Sequence, residues 1–275
     1  MTIAITIKVN DGVVMATDSA TTMFSPNGNA NYIYNNANKL FNLYKGLPIG
    51  IQTAGLGGIG QTSIGTLVKD FRQKITSETD NIRIDRENYT IQEVAEKFKK
   101  FIYDDNYMQA FQIIPPAEQP YLGFLIAGYS SGQPLPEVWK IAIINGCCQG
   151  PFLVQDQPIT GICWDGEPEP IIRLMMGFGS KLPLILNSVG LNQEKIAEIM
   201  ERCKNDLDAG FITAPMPIQD VSELAIFLAE TAAKWAKYRP GADSIGGPID
   251  SAAITKYEGF KWINRKHYFD SKLNP

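Results

Sequence analysis

The chain has 275 residues, 44% of them apolar and 10% aromatic, with 25 basic against 29 acidic side chains and a net charge of −4. That apolar content excludes a globally disordered chain. No run of five or six like charges occurs, so a nucleic-acid partner has no electrostatic footprint. No apolar stretch nears the roughly 18 residues of a membrane helix, and Met1-Thr2-Ile3-Ala4 lacks a basic-then-apolar signal, so a cytoplasmic protein without a membrane partner is expected.

In chain order, Ile3, Ile5, Ile7 and Val9 share one parity, with Ala4, Thr6 and Lys8 between, which predicts a half-buried strand. Asn10-Asp11-Gly12 is a tight-turn signal, and Val13 to Thr17 predicts a second strand, closing a hairpin. Residues 25–38, rich in Asn and Gly, read as a loop or weak hairpin. Lys39–Tyr44 and Ile49–Ala54 are further strands. The glycine run from Gly55 to Gly60 leads into a helix whose apolar face is Ile64, Leu67, Val68, Phe71 and Ile75. Its spacing is not that of a dinucleotide fingerprint and it has no Gly-Lys-Ser/Thr ending, so it reads as a strand-to-helix turn.

Thr90-Ile91-Gln92-Glu93 is a capping box that starts a second helix with Val94, Phe98, Phe101 and Ile102 buried. Strands are expected at 121–129, 137–144, 159–164 and 170–177, the first two joined through Ser130-Ser131-Gly132. Helices follow, one with Ile196, Ile199, Met200, Cys203 and Leu207 on a face, another opened by a capping box at Asp220-Val221-Ser222-Glu223. Ile249–Thr255 and Phe260–Ile263 close the chain as strands. Segment 145–158 reads as a long connection. Strands in runs rather than alternating with helices predict an α+β fold. Two antiparallel sheets between two helical layers accommodate the order, in one domain spanning 1–275.

The four cysteines, Cys147, Cys148, Cys163 and Cys203, show neither disulfide-framework nor zinc spacing. The single histidine, His267, sits in a tail-like segment, so a histidine-based triad or metal site is not expected, nor any cofactor. Thr2 offers another chemistry. Removal of Met1 ahead of a small residue would leave a hydroxyl and a free α-amine on one residue. The amine, with an ordinary pKa near 8, accepts a proton at neutral pH without histidine. The residues alone leave blander readings open: Asp18 and Lys39 as a surface ion pair, Gly55 and Asp243 as turn residues.

The strand from Thr2, the turn at Asp11-Gly12 and Val13-Val14-Met15-Ala16-Thr17-Asp18-Ser19 resemble the opening of proteasome β subunits. So do Asn38-Lys39-Leu40-Phe41-Asn42-Leu43 and Thr53-Ala54-Gly55-Leu56-Gly57-Gly58, and, near the far end, Asp243-Ser244-Ile245-Gly246-Gly247-Pro248-Ile249-Asp250. The chain thus resembles an N-terminal-nucleophile hydrolase of the bacterial proteasome-like type (β subunit or HslV type). The resemblance implies a four-layer αββα sandwich and a threonine-type endopeptidase. Thr2 would be the nucleophile, Lys39 would favour its alkoxide-like state and Asp18 would hold Lys39 charged. Gly55 would offer an oxyanion N–H and Asp243 would orient the nucleophile end. Thr21 and Gly55 would pair with an extended substrate, and Thr53 and Gly57 would shape the pocket. It further implies peptide or unfolded-protein substrates, a homo-oligomeric ring and an ATPase unfoldase partner.

Two departures accompany it. Gly177-Phe178-Gly179-Ser180 resembles the family's Gly-Ser-Gly turn but carries Phe178 at the serine, and Gly246 stands where a second serine is expected. A non-catalytic ring subunit and a small-molecule amidase of the same chemistry are the competing functions.

Overall fold

The computed structural model describes residues 2–24, 30–240 and 245–266. The turn at Asn10 and Asp11 closes a hairpin of β1 (Ile3–Val9) and β2 (Gly12–Thr17). β3 (Thr21–Phe24) and β4 (Ala30–Tyr34) form a separate two-stranded ribbon, so the weak hairpin expected over 25–38 begins earlier. β5 (Leu40–Asn42) and β6 (Ile49–Gly55) follow, then a small hairpin of β7 (Gly58–Ile59) and β8 (Thr62–Ser63) inside the glycine run. α1 (Ile64–Thr76) is capped by the Ser63 hydroxyl and buries the five apolar residues its periodicity picks out. The Thr90 hydroxyl accepts the Glu93 N–H at 3.0 Å to start α2 (Ile91–Lys99). α2 continues through a π-helical stretch, Lys100–Tyr107, into a last turn, α3 (Met108–Phe111).

β9 (Leu122–Gly128), β10 (Glu137–Ile144), β11 (Cys147–Gln155) and β12 (Gly161–Gly166) come next. Then follow α4 (Glu169–Met176), α5 (Leu182–Ser188), α6 (Gln193–Leu207) and α7 (Ile218–Tyr238). β13 (Asp250–Thr255) and β14 (Gly259–Asn264) complete the described chain.

Three expectations change. Residues 170–177 are mostly helix, not strand: Ile171 and Met175, four apart, share the buried face, Glu169 pairs with Arg173 at 2.7 Å, and Gly177 ends α4 at φ +73°. A short apolar run does not by itself separate strand from buried helix. Segment 145–158 is largely β11, at a sheet edge where Pro151 is tolerated. Finally, α7 begins after Pro217, so Asp220 lies in its first turn, near the positive helix end, rather than at the cap.

The strands form two five-stranded antiparallel sheets, ordered β12-β1-β2-β13-β14 and β11-β10-β9-β6-β5. α1, α2 and the π-helical stretch cover the second sheet, with Phe71, Phe98 and Phe124 in edge-to-face contact. α4 and α7 cover the first sheet over Ile3, Ile5 and Ile7. Val13, Met15, Leu125, Ala127 and Ile254 fill the space between the sheets. The fold is therefore α+β in four layers, αββα.

This layering explains why β1 is buried at all seven positions although its sequence alternates. Its odd residues meet helices and its even residues meet the other sheet. Lys8 is completely buried there, its Nζ donating to the carbonyls of Asp156 (2.5 Å), Gln157 (2.8 Å) and Ile159 (2.7 Å). Lys8→Met keeps the stem but strands those acceptors. It is expected to lose about 1–3 kcal/mol, read as a lower urea midpoint; an unchanged midpoint would mean that the carbonyls find other donors.

Candidate active site

Thr2 lies just before β1 with the parity of Ala4 and Thr6, so its side chain belongs to the face between the sheets. Lys39 lies just before β5, on the opposite sheet. Its Nζ reaches across to donate to Thr2 Oγ1 at 3.0 Å and to Asp18 Oδ1 at 2.7 Å. Thr2 is 3% exposed, Lys39 6% and Asp18 0%, so the bland reading of a surface ion pair does not hold.

Asp18 follows the end of β2, and its carboxylate collects four donors. Oδ1 accepts from Lys39 and from the Ile3 N–H at 3.1 Å; Oδ2 accepts from the N–H groups of Ala20 and Gly246, each at 3.1 Å. Those bonds satisfy the lone pairs that make a buried carboxylate costly. Burial pulls the Lys39 ammonium below the ordinary lysine range; the charge and hydrogen bond of Asp18 oppose this, and Lys266 adds a smaller downward push.

Beside this trio opens a cleft of about 610 Å³, bordered by Thr2, Lys39, Thr21, Thr53, Gly55 and Gly57. Gly55 has φ +96°, and a Cβ there would lie 2.4 Å from the Tyr121 carbonyl oxygen, so both conformation and space demand glycine. A Cβ on Gly57 would come within 3.2 Å of Thr21 Oγ1, so these two lining residues adjoin. The Thr53 hydroxyl donates to the Gly123 carbonyl at 3.2 Å. The structure thus gathers Thr2, Asp18, Lys39, Thr21, Thr53, Gly55 and Gly57. Asp243 and His267 lie outside the described residues.

The turn at Gly177-Phe178-Gly179-Ser180 is not the strand-to-helix turn beside Thr2. It follows α4, and Ser180 bonds to Glu169 through both its N–H (3.0 Å) and its hydroxyl. The turn that meets Thr2 is Asp165-Gly166-Glu167-Pro168, between β12 and α4: the Glu167 N–H donates to the Thr2 carbonyl at 2.9 Å, and a Cβ on Gly166 would lie 1.8 Å from that oxygen. Reading 170–177 as strand hid this boundary; the signal was Asp-Gly followed by Pro-x-Pro. Tyr121, Asp165 and Lys69 are further residues at or behind the cleft that the sequence reading did not single out.

Among the described residues, no group of three or more His, Cys, Asp or Glu could hold a metal ion, and no helix is long and apolar enough to cross a membrane.

The four layers and the Thr2 cleft between the sheets define a proteasome-like fold. Among solved structures the chain is similar to Anbu proteins. The Anbu complex from Pseudomonas aeruginosa, described as a helical assembly, is 16% identical with a TM-score of 0.54, over 98% of this chain and 90% of that one. The Anbu Gly-1 mutant from Hyphomicrobium sp. strain MC1 is 15% identical with a TM-score of 0.56, over 100% and 91%. Anbu from Yersinia bercovieri, described as an ancestral beta-subunit, is 13% identical with a TM-score of 0.54, over 97% and 89%. None of the three is named as HslV type. No protein-family model and no curated protein matches the sequence. At these identities the likeness is one of fold.

Removing the carboxylate leaves a buried ammonium without its counter-charge. Asp18→Ala is expected to lose about 3–5 kcal/mol in chemical denaturation, and adding Lys39→Met is expected to recover most of it. A loss under about 1 kcal/mol for the single variant would mean that the site is wetter than its burial implies.

Proposed function

We propose that this protein is a threonine-type endopeptidase whose nucleophile is Thr2, exposed by removal of Met1. The observation that carries this reading is the buried Lys39 donating to Thr2 Oγ1 at the wall of a peptide-sized cleft. Thr2 Oγ1 attacks the substrate carbonyl carbon, and its proton passes to the Thr2 α-amine, directly or through one water. The Lys39 ammonium, anchored by Asp18, stabilises the negative charge developing on Oγ1. The Gly55 N–H stabilises the oxyanion of the tetrahedral intermediate. Collapse breaks the C–N bond as the leaving amine takes the proton, and water then hydrolyses the Thr2 ester. Asp243 is proposed to orient the nucleophile end, and the Thr21 and Gly55 backbones to pair with an extended peptide.

Lys39 and Lys69 are the charged residues lining the cleft among those described, and Lys39 is committed to Asp18. A substrate with an acidic residue near the scissile bond is therefore expected to be cleaved faster than its glutamine counterpart. Lys69→Glu is expected to reverse the order in a kcat/KM comparison; an unchanged order would remove Lys69 from the specificity.

Self-association into a ring supplied by an ATPase unfoldase fits this reading, and the assembly described for the Pseudomonas aeruginosa neighbour supports the self-association. A non-catalytic ring subunit is the second reading. It is favoured by Gly246, which brings a backbone N–H to Asp18 but no hydroxyl.

Intact mass after treatment with a peptide epoxyketone decides between them. Loss of Met1 and one adduct on Thr2, absent in Thr2→Ala and strongly reduced in Lys39→Ala, is expected. A mature Thr2 chain that takes no adduct would support the non-catalytic subunit.

A further inference from the structure

The nucleophile and the oxyanion amide sit on different sheets. Thr2 enters β1 of the first sheet, and Gly55 ends β6 of the second. Their separation must be held to a fraction of an ångström for Oγ1 attack and oxyanion binding to coincide. Tyr121 and Asp165 join those two positions from behind the cleft.

Tyr121 immediately precedes β9 and lines the cleft. Its carbonyl accepts the Leu56 N–H at 3.0 Å, and its backbone and ring edge press on Gly55: a Cβ there would lie 2.4 Å from the carbonyl oxygen and 2.8 Å from the ring. Its hydroxyl crosses to the other sheet and donates to Asp165 Oδ1 at 2.5 Å. Asp165 is 6% exposed and pairs with Ala4 across β12 and β1, so its side chain shares the inter-sheet face with Thr2. Oδ1 also accepts the N–H of Gly166 at 2.8 Å, the residue packed on the Thr2 carbonyl. Lys140 lies 3.3 Å from Oδ2. The Tyr121 hydroxyl remains protonated and a donor, because burial first and the Asp165 charge second push its ionisation far above the ordinary range.

From this geometry we infer that Tyr121 and Asp165 are positioning residues, a hydrogen-bonded clamp between the sheets that fixes Gly55 against Thr2. The inference rests on the peptidase reading for its kinetic consequence, but not for its structural one. Gly123 is part of the device. A Cβ there would come within 2.2 Å of Asp165 Oδ2 and 2.4 Å of the Tyr121 hydroxyl, so the clamp needs a bare backbone in the strand that carries it.

The test compares Tyr121→Phe, Asp165→Ala, Asp165→Asn and the Tyr121→Phe/Asp165→Ala pair with the wild type. Peptide epoxyketone labelling of Thr2 is followed by mass, and hydrogen exchange is followed in peptides covering residues 53–57 and 2–4. Tyr121→Phe and Asp165→Ala are each expected to slow the maximal labelling rate about tenfold to a hundredfold, with little change in inhibitor concentration at half-maximal rate. Exchange is expected to quicken in both peptides. The double variant should be no worse than the poorer single one. Asp165→Asn, which can still accept from the Tyr121 hydroxyl, should recover most of the rate, whereas a role for the charge itself would leave it as slow as Asp165→Ala.

Variants that label and exchange at wild-type rates, or an Asp165→Asn as impaired as Asp165→Ala, overturn the clamp. A wild type that takes no label overturns the peptidase reading instead, and the exchange comparison then decides the clamp: quickened exchange in both peptides supports it, unchanged exchange overturns it.

Discussion

The site depends on one constraint: an ammonium buried between two sheets must find negative charge and oxygen acceptors there. Lys39 finds both in Asp18 and Thr2. Three backbone N–H groups, from Ile3, Ala20 and Gly246, join Lys39 in donating to the buried Asp18 side chain. Those donors come from the start of β1, the segment after β2 and the segment before β13. The ion pair thus locks three separate stretches of chain around the cleft. The same arrangement leaves the threonine hydroxyl oxygen facing a cation in a region of low dielectric, where electrostatic effects on its chemistry are large.

The second constraint is closeness of backbones. Gly55 lies against the Tyr121 carbonyl, and Gly166 against the Thr2 carbonyl, at separations that exclude any side chain. Both glycines also have positive φ. They set how closely the cleft wall and the strand-to-helix turn approach the nucleophile. Their necessity comes from neighbours more than forty residues away in sequence, so neither could be told from an ordinary turn glycine on local grounds.

Local features were legible. The turn at Asn10-Asp11, the helical face from Ile64 to Ile75 and the Thr90 cap each depend on residues within a few positions of one another, and each forms as read. Features with two local solutions were not. Residues 170–177 carry an apolar run that suits either a buried strand or a buried helix; packing against α7 makes it a helix. β11 carries Gly150 and Pro151 and resembles a loop, yet pairing with β10 makes it an edge strand. The misplaced helix boundary also concealed the turn at Asp165-Gly166-Glu167, and with it the contact to Thr2.

By itself the sequence determined the opening hairpin, the helices from Ile64 and Ile91, the α+β class and a candidate set in Thr2, Asp18 and Lys39 that the structure brings together. These follow from periodicity, turn chemistry and a resemblance carried by short motifs. Tertiary structure alone decided that both faces of β1 are dry, that Lys8 finds three carbonyls, and that Tyr121 and Asp165 meet behind the cleft. The physical reason is the same throughout. Burial and polar satisfaction depend on which layer covers a strand and which remote backbone approaches it, and both are properties of the closed sandwich rather than of any local segment.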